Sequence, residues 1–328
     1  MTPDRRAVAA LATGVLLVCA SGPAYAGQGN GNGSSTPNSI ESHVTITSSD
    51  TGSAAGAQHL MSVGSDWTPP PCWYEPAYTP DEFDTAFQQL LASLTGGMGE
   101  EAKAQYDKLK ADQDFHRGQE GLWWAMVKSK KAWDLPNNSA TCEQPPGIVW
   151  VPKNSPPPGM VAVTPEMLSK LAYASTKLPP PAVKLSPDAG SQTVNLPTYV
   201  TFNSPLQPVT VTAALNFEGL SIAASTLAVP VSLRVDAGTN DADPSSCTYQ
   251  FAKTSSGYQV DSSGSSCNID YRRSSRGGTY PLTAAVTWRV TWTPSTNPYA
   301  QPANPLPDGI TGGVPQDVTV REIQTIVR

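Results

Sequence analysis

The stretch from Tyr280 to Thr293 constrains the fold more than any other part of this sequence. Apolar residues alternate strictly with polar or small ones through it, and the apolar series ends with Trp288, Val290 and Trp292. A period of two is the pattern of a β-strand with one buried face. A long strand that carries two tryptophans on that face needs a second sheet to cover it. The pattern therefore predicts a β-sandwich with a sizeable core that contains Trp288 and Trp292.

Other alternating segments extend this interpretation over the C-terminal half of the chain. Residues 209–215, 220–224 and 229–235 each predict a strand, and residues 247–251 and 267–271 predict a hairpin. A last strand begins at Val318, and its apolar phase slips at Arg321, which is typical of a bulge. About seven to nine strands separated by turn residues favour an immunoglobulin-like antiparallel sandwich for residues 179–328.

The N-terminus has the pattern of an export signal. Arg5 and Arg6 precede an apolar run over residues 7–20, and Ala24 and Ala26 are the small residues that a signal peptidase reads. The run is shorter than the roughly 20 residues that a spanning helix needs. We therefore expect residues 1–26 to be a cleaved signal peptide and the protein to be secreted, either free or associated with the cell wall. The arginine pair leaves the export route open between the general and twin-arginine pathways.

A low-complexity tether is expected from residue 27 to residue 66. Residues 29–35 are Gly, Asn and Ser, which offer too little apolar surface to fold. Residues 43–47 are interpreted as a short strand that either adds to an edge of a folded part or stays loose. No run after the signal is long enough to span a membrane.

Residues 67–178 are expected to form a small helical domain, which makes the whole chain α+β. Thr79, Pro80 and Glu82 form a helix-start pattern, and apolar residues at helical spacing follow it. A second helix is predicted over residues 100–113, a shorter one over 122–127, and a last one from Thr164. The proline triplet at 179–181 marks the boundary, because the period changes from helical to alternating after it.

Four cysteines follow the expected cleavage site: Cys72, Cys142, Cys247 and Cys267. An even number in an exported chain predicts two disulfides, and four cysteines allow three pairings. Their distribution favours sequence neighbours, Cys72 with Cys142 and Cys247 with Cys267. Zinc is not expected, because no cysteine pair has metal-ligand spacing and the three histidines are scattered.

Aromatic residues are concentrated in the helical domain and form a candidate ligand-binding patch, composed of Trp67, Trp73, Tyr74, Tyr78, Trp123 and Trp124. Exposed Trp and Tyr rings stack on sugars or clamp proline-rich peptides. The alternative is that these residues build the core of a small disulfide-bonded domain.

A cluster of oxygen-bearing side chains is the candidate metal site, with Asp236, Asn240, Asp241 and Asp243 as its members. Oxygen ligands crowded into a loop can bind calcium, although the EF-hand pattern is absent. The alternative is a solvated acidic turn that faces the arginines at positions 272, 273 and 276.

Motifs for catalysis are weak throughout the chain. Residues 219–223 lack the second glycine of a nucleophile elbow, and His116 is the single histidine of the two folded domains. The acids at positions 81, 82 and 84 lie where carboxylates complement a helix dipole, which accounts for them without a glycosidase role. A net charge of −6 and the lack of a Lys/Arg stripe argue against nucleic acid as a partner.

Several segments together resemble a family of uncharacterised exported actinobacterial proteins, and the resemblance covers nearly the whole mature chain. They are the run from Trp67 to Pro76 with the Tyr-Thr-Pro that follows, the Gly-Leu-Trp-Trp run at 121–124, residues 193–198, and the closing segment 316–324. Some similar chains carry an enoyl-reductase label. That activity needs a nucleotide-binding βαβ fold with a glycine-rich turn, and neither occurs in this sequence.

We therefore expect a secreted, non-enzymatic binding or structural protein of the cell envelope, with no cofactor. Its expected partner is a cell-wall polymer or another secreted protein. The alternative hypothesis is an extracellular hydrolase that acts on cell-wall polymers.

Overall fold

The structure is a computed structural model that describes residues 44–49, 58–59, 61–62, 72–128, 147–155, 162–202, 204–260, 262 and 265–323. The expected signal peptide, Trp67 and Cys142 lie outside these residues. Three α-helices are described: α1 (Pro80–Ser93), α2 (Gly97–Gln113) and α3 (Pro165–Ser175). A short turn occupies Asp114–His116, and a 3₁₀ turn occupies Ala189–Ser191.

The described residues are mostly β-strand, and the strands pair almost entirely antiparallel. In chain order they are β1 Val44–Ser48, β2 Gln58–His59, β3 Met61–Ser62, β4 Cys72–Tyr78, β5 Gly121–Lys128, β6 Ile148–Pro152, β7 Lys177–Leu178, β8 Val183–Ser186, β9 Gln192–Thr193, β10 Pro197–Phe202, β11 Val209–Phe217, β12 Leu220–Asp236, β13 Ala242–Asp243, β14 Ser246–Gln250, β15 Ala252–Thr254, β16 Gly257–Gln259, β17 Ile269–Tyr271, β18 Tyr280–Thr293, β19 Asn304–Gly312, β20 Gln316–Val318 and β21 Val320–Arg321.

Contacts divide the chain into two compact units. Within the described ranges, the first unit comprises residues 72–128, 147–155, 162–163 and 216–221, and the second comprises the remainder. Helix α3 belongs to the second unit, so the division falls before this helix, whereas the proline triplet used as a sequence boundary follows it.

The first unit combines α1 and α2 with the antiparallel sheet β4–β5–β6. Helix α1 begins with the predicted capping box: the Thr79 hydroxyl accepts from the Glu82 N–H at 3.3 Å, and the Glu82 carboxylate accepts from the Thr79 N–H at 2.8 Å. Each contact satisfies a backbone N–H that the helix itself leaves without a partner.

The helix predicted over residues 122–127 is wrong, because this segment lies within strand β5. Trp123 and Trp124 point to opposite faces of the strand and are only 5% and 6% exposed. A strand covered on both faces carries an unbroken apolar run, and such a run cannot be distinguished from a buried helix by its period.

The second unit is built around a large and a small antiparallel sheet. The large sheet has the order β1-β11-β12-β18-β19-β3, with β14 also beside β12 and β20 also beside β18, and the small sheet has the order β13-β17-β10-β8. Both sheets contribute to one hydrophobic core, in which Val200 and Ile269 of the small sheet join Leu233 and Trp288 of the large sheet. The strand predicted at Tyr280–Thr293 is confirmed, and its alternation of buried and less buried residues holds through Val290.

Three details of the second unit differ from the sequence-based expectation. Trp292 is half-buried rather than part of the core, because the burial phase of β18 changes after Val290. Residues 220–236 form a single strand with a register shift between Pro230 and Ser232, where two strands were predicted. The C-terminal strand is not one bulged strand: β20 pairs with β18, and β21 pairs in parallel with β9.

The predicted hairpin of residues 247–251 and 267–271 is also wrong, although its disulfide is confirmed. Cys247 lies in β14 of the large sheet, and Cys267 lies two residues before β17 of the small sheet. The disulfide therefore ties two different sheets together. Local alternation could not reveal this, because it does not specify which strand is the partner.

Candidate functional site

The predicted aromatic patch is mostly interior. Trp73 and Tyr74 are 1% and 3% exposed in β4, and Trp123 and Trp124 of β5 are equally enclosed. These four rings do not form a surface on which a sugar could stack. Tyr78 is half-buried, and Trp67 lies outside the described residues.

One row of aromatic residues crosses the sheet beneath the helices of the first unit. Tyr78, Trp123 and Trp150 are neighbours in register on β4, β5 and β6. Phe83 of α1 packs on this row, with its ring centroid 4.4 Å from that of Trp123. The ring centroids of Trp123 and Trp150 are 5.7 Å apart. Aromatic packing of this kind makes the base of the site rigid.

A three-residue turn with left-handed backbone lies at one end of this row. Asp114, Phe115 and His116 have φ angles of 41°, 56° and 62°, a left-handed conformation that residues other than glycine rarely adopt. The turn is held because Phe115 is fully buried and its carbonyl accepts from the Trp123 indole N–H at 3.1 Å. Such strained backbone is concentrated at functional sites, and it persists only when its surroundings enforce it.

The turn presents His116 to the surface beside Trp150. The two rings are stacked, with centroids 4.4 Å apart and an interplanar angle of 2°. Both side chains are half-buried, so each ring retains some exposed surface. His116 Nδ1 is also 3.0 Å from Gln119 Oε1, which orients the imidazole. This His116–Trp150 pair is the candidate binding surface of the first unit.

Arg117 follows directly and holds the turn against α1. Its Nε donates to Asp81 Oδ1 at 2.7 Å, its Nη1 donates to Asp114 Oδ1 at 3.2 Å, and its Nη2 donates to Asp84 Oδ2. All three guanidinium nitrogens are therefore engaged by carboxylates, a use for which the planar fork of arginine is suited.

Asp84 is the enclosed member of this network, with 8% of its side chain exposed. Its Oδ1 accepts from the Tyr106 hydroxyl at 2.7 Å and from Gln88 Nε2 at 2.9 Å. Burial acts to raise the pKa of Asp84, but hydrogen bonds from Tyr106, Gln88 and Arg117 outweigh it and lower the pKa below its ordinary value. Asp84 is therefore held ionised, which suits a structural anchor and not a general acid.

The interpretation of Asp81 and Glu82 as residues that complement the start of α1 agrees with their positions in its first turn. Sequence reasoning missed that Asp81 and Asp84 also bind Arg117, more than 30 positions away. It also missed Glu75, which is 2% exposed and accepts from the Trp73 indole N–H at 3.4 Å. A glutamate in an apolar strand segment was the sequence feature that could have indicated it.

The acidic cluster of the second unit is arranged as ion pairs. Asp243 Oδ2 lies 3.4 Å from Arg272 Nη2, and Asp241 Oδ1 lies 3.6 Å from Arg273 Nε. Asp236 Oδ1 accepts from the Gly238 N–H. These contacts match the solvated acidic turn facing arginines.

The calcium interpretation of Asp236, Asn240, Asp241 and Asp243 gains no support from this arrangement. Within the described ranges, no three or more His, Cys, Asp or Glu side chains are grouped so that they could hold a metal ion.

The disulfides are the remaining predicted features. Cys247 and Cys267 are bonded, and Cys72 is also disulfide-bonded, while its expected partner Cys142 lies outside the described residues.

Comparisons with protein-family models, with curated proteins and with solved structures gave no match. None of the described helices has the length and apolarity that crossing a bilayer requires.

Proposed function

We propose that this chain is a secreted, non-enzymatic binding or structural protein of the cell envelope. The observation that carries the proposal is the Cys247–Cys267 disulfide, which ties two sheets of the second unit. Disulfides of this structural kind form and persist in oxidising compartments outside the cytosol. The signal-peptide pattern at residues 1–26 favours the same location.

We further propose that the second unit is an immunoglobulin-like sandwich. The support is that two antiparallel sheets share one core and that strand β18 contributes its alternating face to that core. Sandwiches of this type commonly serve adhesion and scaffolding, which is an analogy at the level of the fold.

Binding is assigned to the His116–Trp150 pair in place of the buried Trp73 and Trp124. The half-buried rings of His116, on the turn, and Trp150, in β6, hold each other by stacking, so they can stack on the sugar rings of a wall polymer without losing much side-chain freedom. The non-enzymatic part of the proposal is supported by Asp84, a buried carboxylate that binds Arg117 next to His116 and is held ionised by its three donors.

Co-sedimentation with isolated actinobacterial sacculi tests the proposal. The oxidised mature protein should pellet with the sacculi, and the supernatant should contain no released sugar or peptide. Trp150→Leu should lose most of the binding, whereas Tyr299→Leu, which removes an exposed ring of the second unit, should retain it. Circular dichroism checks that both variants fold.

Two results would contradict the proposal. Release of sugar or peptide would favour the alternative, an extracellular hydrolase. Absence of any binding would contradict the assignment of a wall polymer to the His116–Trp150 pair and leave another secreted protein as the partner to be sought.

A further inference from the structure

Strand β1 lies at the edge of the large sheet, and most of its side chains are exposed. It pairs antiparallel with β11 in a register that places Val44 opposite Leu215 and Ile46 opposite Ala213. Four of its five residues are exposed, and Ile46 itself is 43% exposed. Because so little apolar surface is buried, the strand is held mainly by hydrogen bonds.

The hydrogen bonds of this segment involve atoms that any copy of the chain supplies. The Ser49 N–H donates to the Thr210 carbonyl at 2.9 Å, and the Thr210 N–H donates to Ser49 Oγ at 2.9 Å. The Thr45 hydroxyl donates to the Ala214 carbonyl at 3.2 Å. The same segment from a second molecule would make every one of these contacts.

The edge of strand β11 can pair with such a segment over its whole length. Its residues Val211, Ala213 and Leu215 are at most 1% exposed, so one face of the strand is fully buried. Partner recognition by strand addition uses main-chain hydrogen bonds for affinity and alternate side chains for specificity. In β1 the alternate residues opposite these three are Val44, Ile46 and Ser48.

We propose that the edge of β11 is a strand-exchange site whose partner is the β1 segment of a second copy of this chain. Exchange replaces a contact within one molecule by the identical contact between two molecules. The contacts themselves therefore contribute almost equally to the free energies of the closed and exchanged forms. The inference does not depend on the proposed envelope function.

Protein concentration sets the balance between the closed and exchanged forms. Eight residues separate Ser49 from Gln58 in the sequence, and for short linkers the effective concentration of a tethered segment is of millimolar order. The closed form should therefore dominate in dilute solution. Exchange should become measurable near millimolar concentration, or when many copies are held on one surface.

The test uses two variants of the full mature chain, each with one added cysteine, Ile46→Cys and Ala213→Cys, mixed with oxidised glutathione. Residues 46 and 213 are directly opposite each other. Since the Ser49 N–H points toward β11, strand alternation makes the 46/213 pair a non-hydrogen-bonded one, with Cα atoms about 4.5 Å apart. That separation is within the range of disulfides.

Exchange predicts a mixed disulfide dimer whose yield rises at least tenfold between 10 µM and 1 mM protein. The matched control mixes Ile46→Cys with Thr212→Cys, since Thr212 lies on the other face of β11 and should give under a tenth of that yield. The double variant Ile46→Cys/Ala213→Cys should cross-link within one chain at low concentration.

The proposal is overturned if the double variant cross-links internally while the mixture gives no more dimer than the control at 1 mM. It is equally overturned if the double variant fails to cross-link, because β1 would then not occupy β11 in solution.

Discussion

Removing the Cys247–Cys267 disulfide should destabilise the second unit by an amount that the loop length sets. The two cysteines are 20 positions apart, and the chain-entropy model gives about 3 kcal/mol at 25 °C for a loop of this size. For domains of 150–250 residues, 1 kcal/mol corresponds to about 2–4 °C in Tm. The expected decrease is therefore about 6–12 °C.

Two variants separate the cross-link from the packing of its sulfur atoms. Cys247 is 2% exposed, so Cys247→Ala/Cys267→Ala removes both the link and a core contact. Cys267→Ala removes the link but leaves the buried Cys247 thiol, which packs as a small hydrophobic group. If loop closure dominates, the single variant should lose most of what the double variant loses.

Thermal unfolding followed by circular dichroism, together with urea unfolding, measures both variants against the oxidised protein. Losses below 1 kcal/mol in both would refute the reasoning, because the cross-link would then not restrict the unfolded chain. A large loss confined to the double variant would assign the stabilisation to packing.

Three further predictions concern single side chains. Tyr106→Phe removes a donor to Asp84 and should cost about 1–3 kcal/mol at pH 7. Because the folded pKa of Asp84 is lowered, this stabilisation is full above its ordinary pKa of about 3.9 and is lost as the pH falls through the folded value, so urea unfolding of variant and parent should converge in acid. Gly238→Ala should lower the Tm by more than Gly277→Ala, because both have positive φ but a Cβ at Gly238 would lie 2.2 Å from the Pro281 carbonyl oxygen; equal effects would contradict this. Thr79→Ala removes the cap of α1 and should cost about 0.5–2 kcal/mol in urea unfolding, and no change would show that the cap is dispensable.

Sequence alone was sufficient wherever the determinants lie close together in the chain. The caps at Thr79 and Thr164 act within one helical turn, so both helix starts were predicted. The alternation that predicted β18 depends on the pleat of a single strand, and the structure agrees. The cysteine count and spacing also predicted the Cys247–Cys267 bond.

Tertiary structure decided which elements meet. Alternation identified the cysteine-bearing segments of the second unit as strands but assigned them to one hairpin, because a period of two does not specify the neighbouring strand. The apolar run at 122–127 fits a helix as well as a strand, and the covering of both its faces selected the strand.

The candidate site depended even more on long-range contacts. His116 was a lone histidine in the sequence, and only the left-handed turn stacks it on Trp150. Likewise, Asp84 was one acid in a helix until Tyr106 and Arg117 were placed around it. Side chains from distant positions converge through packing of the whole unit, and local patterns contain no information about that convergence.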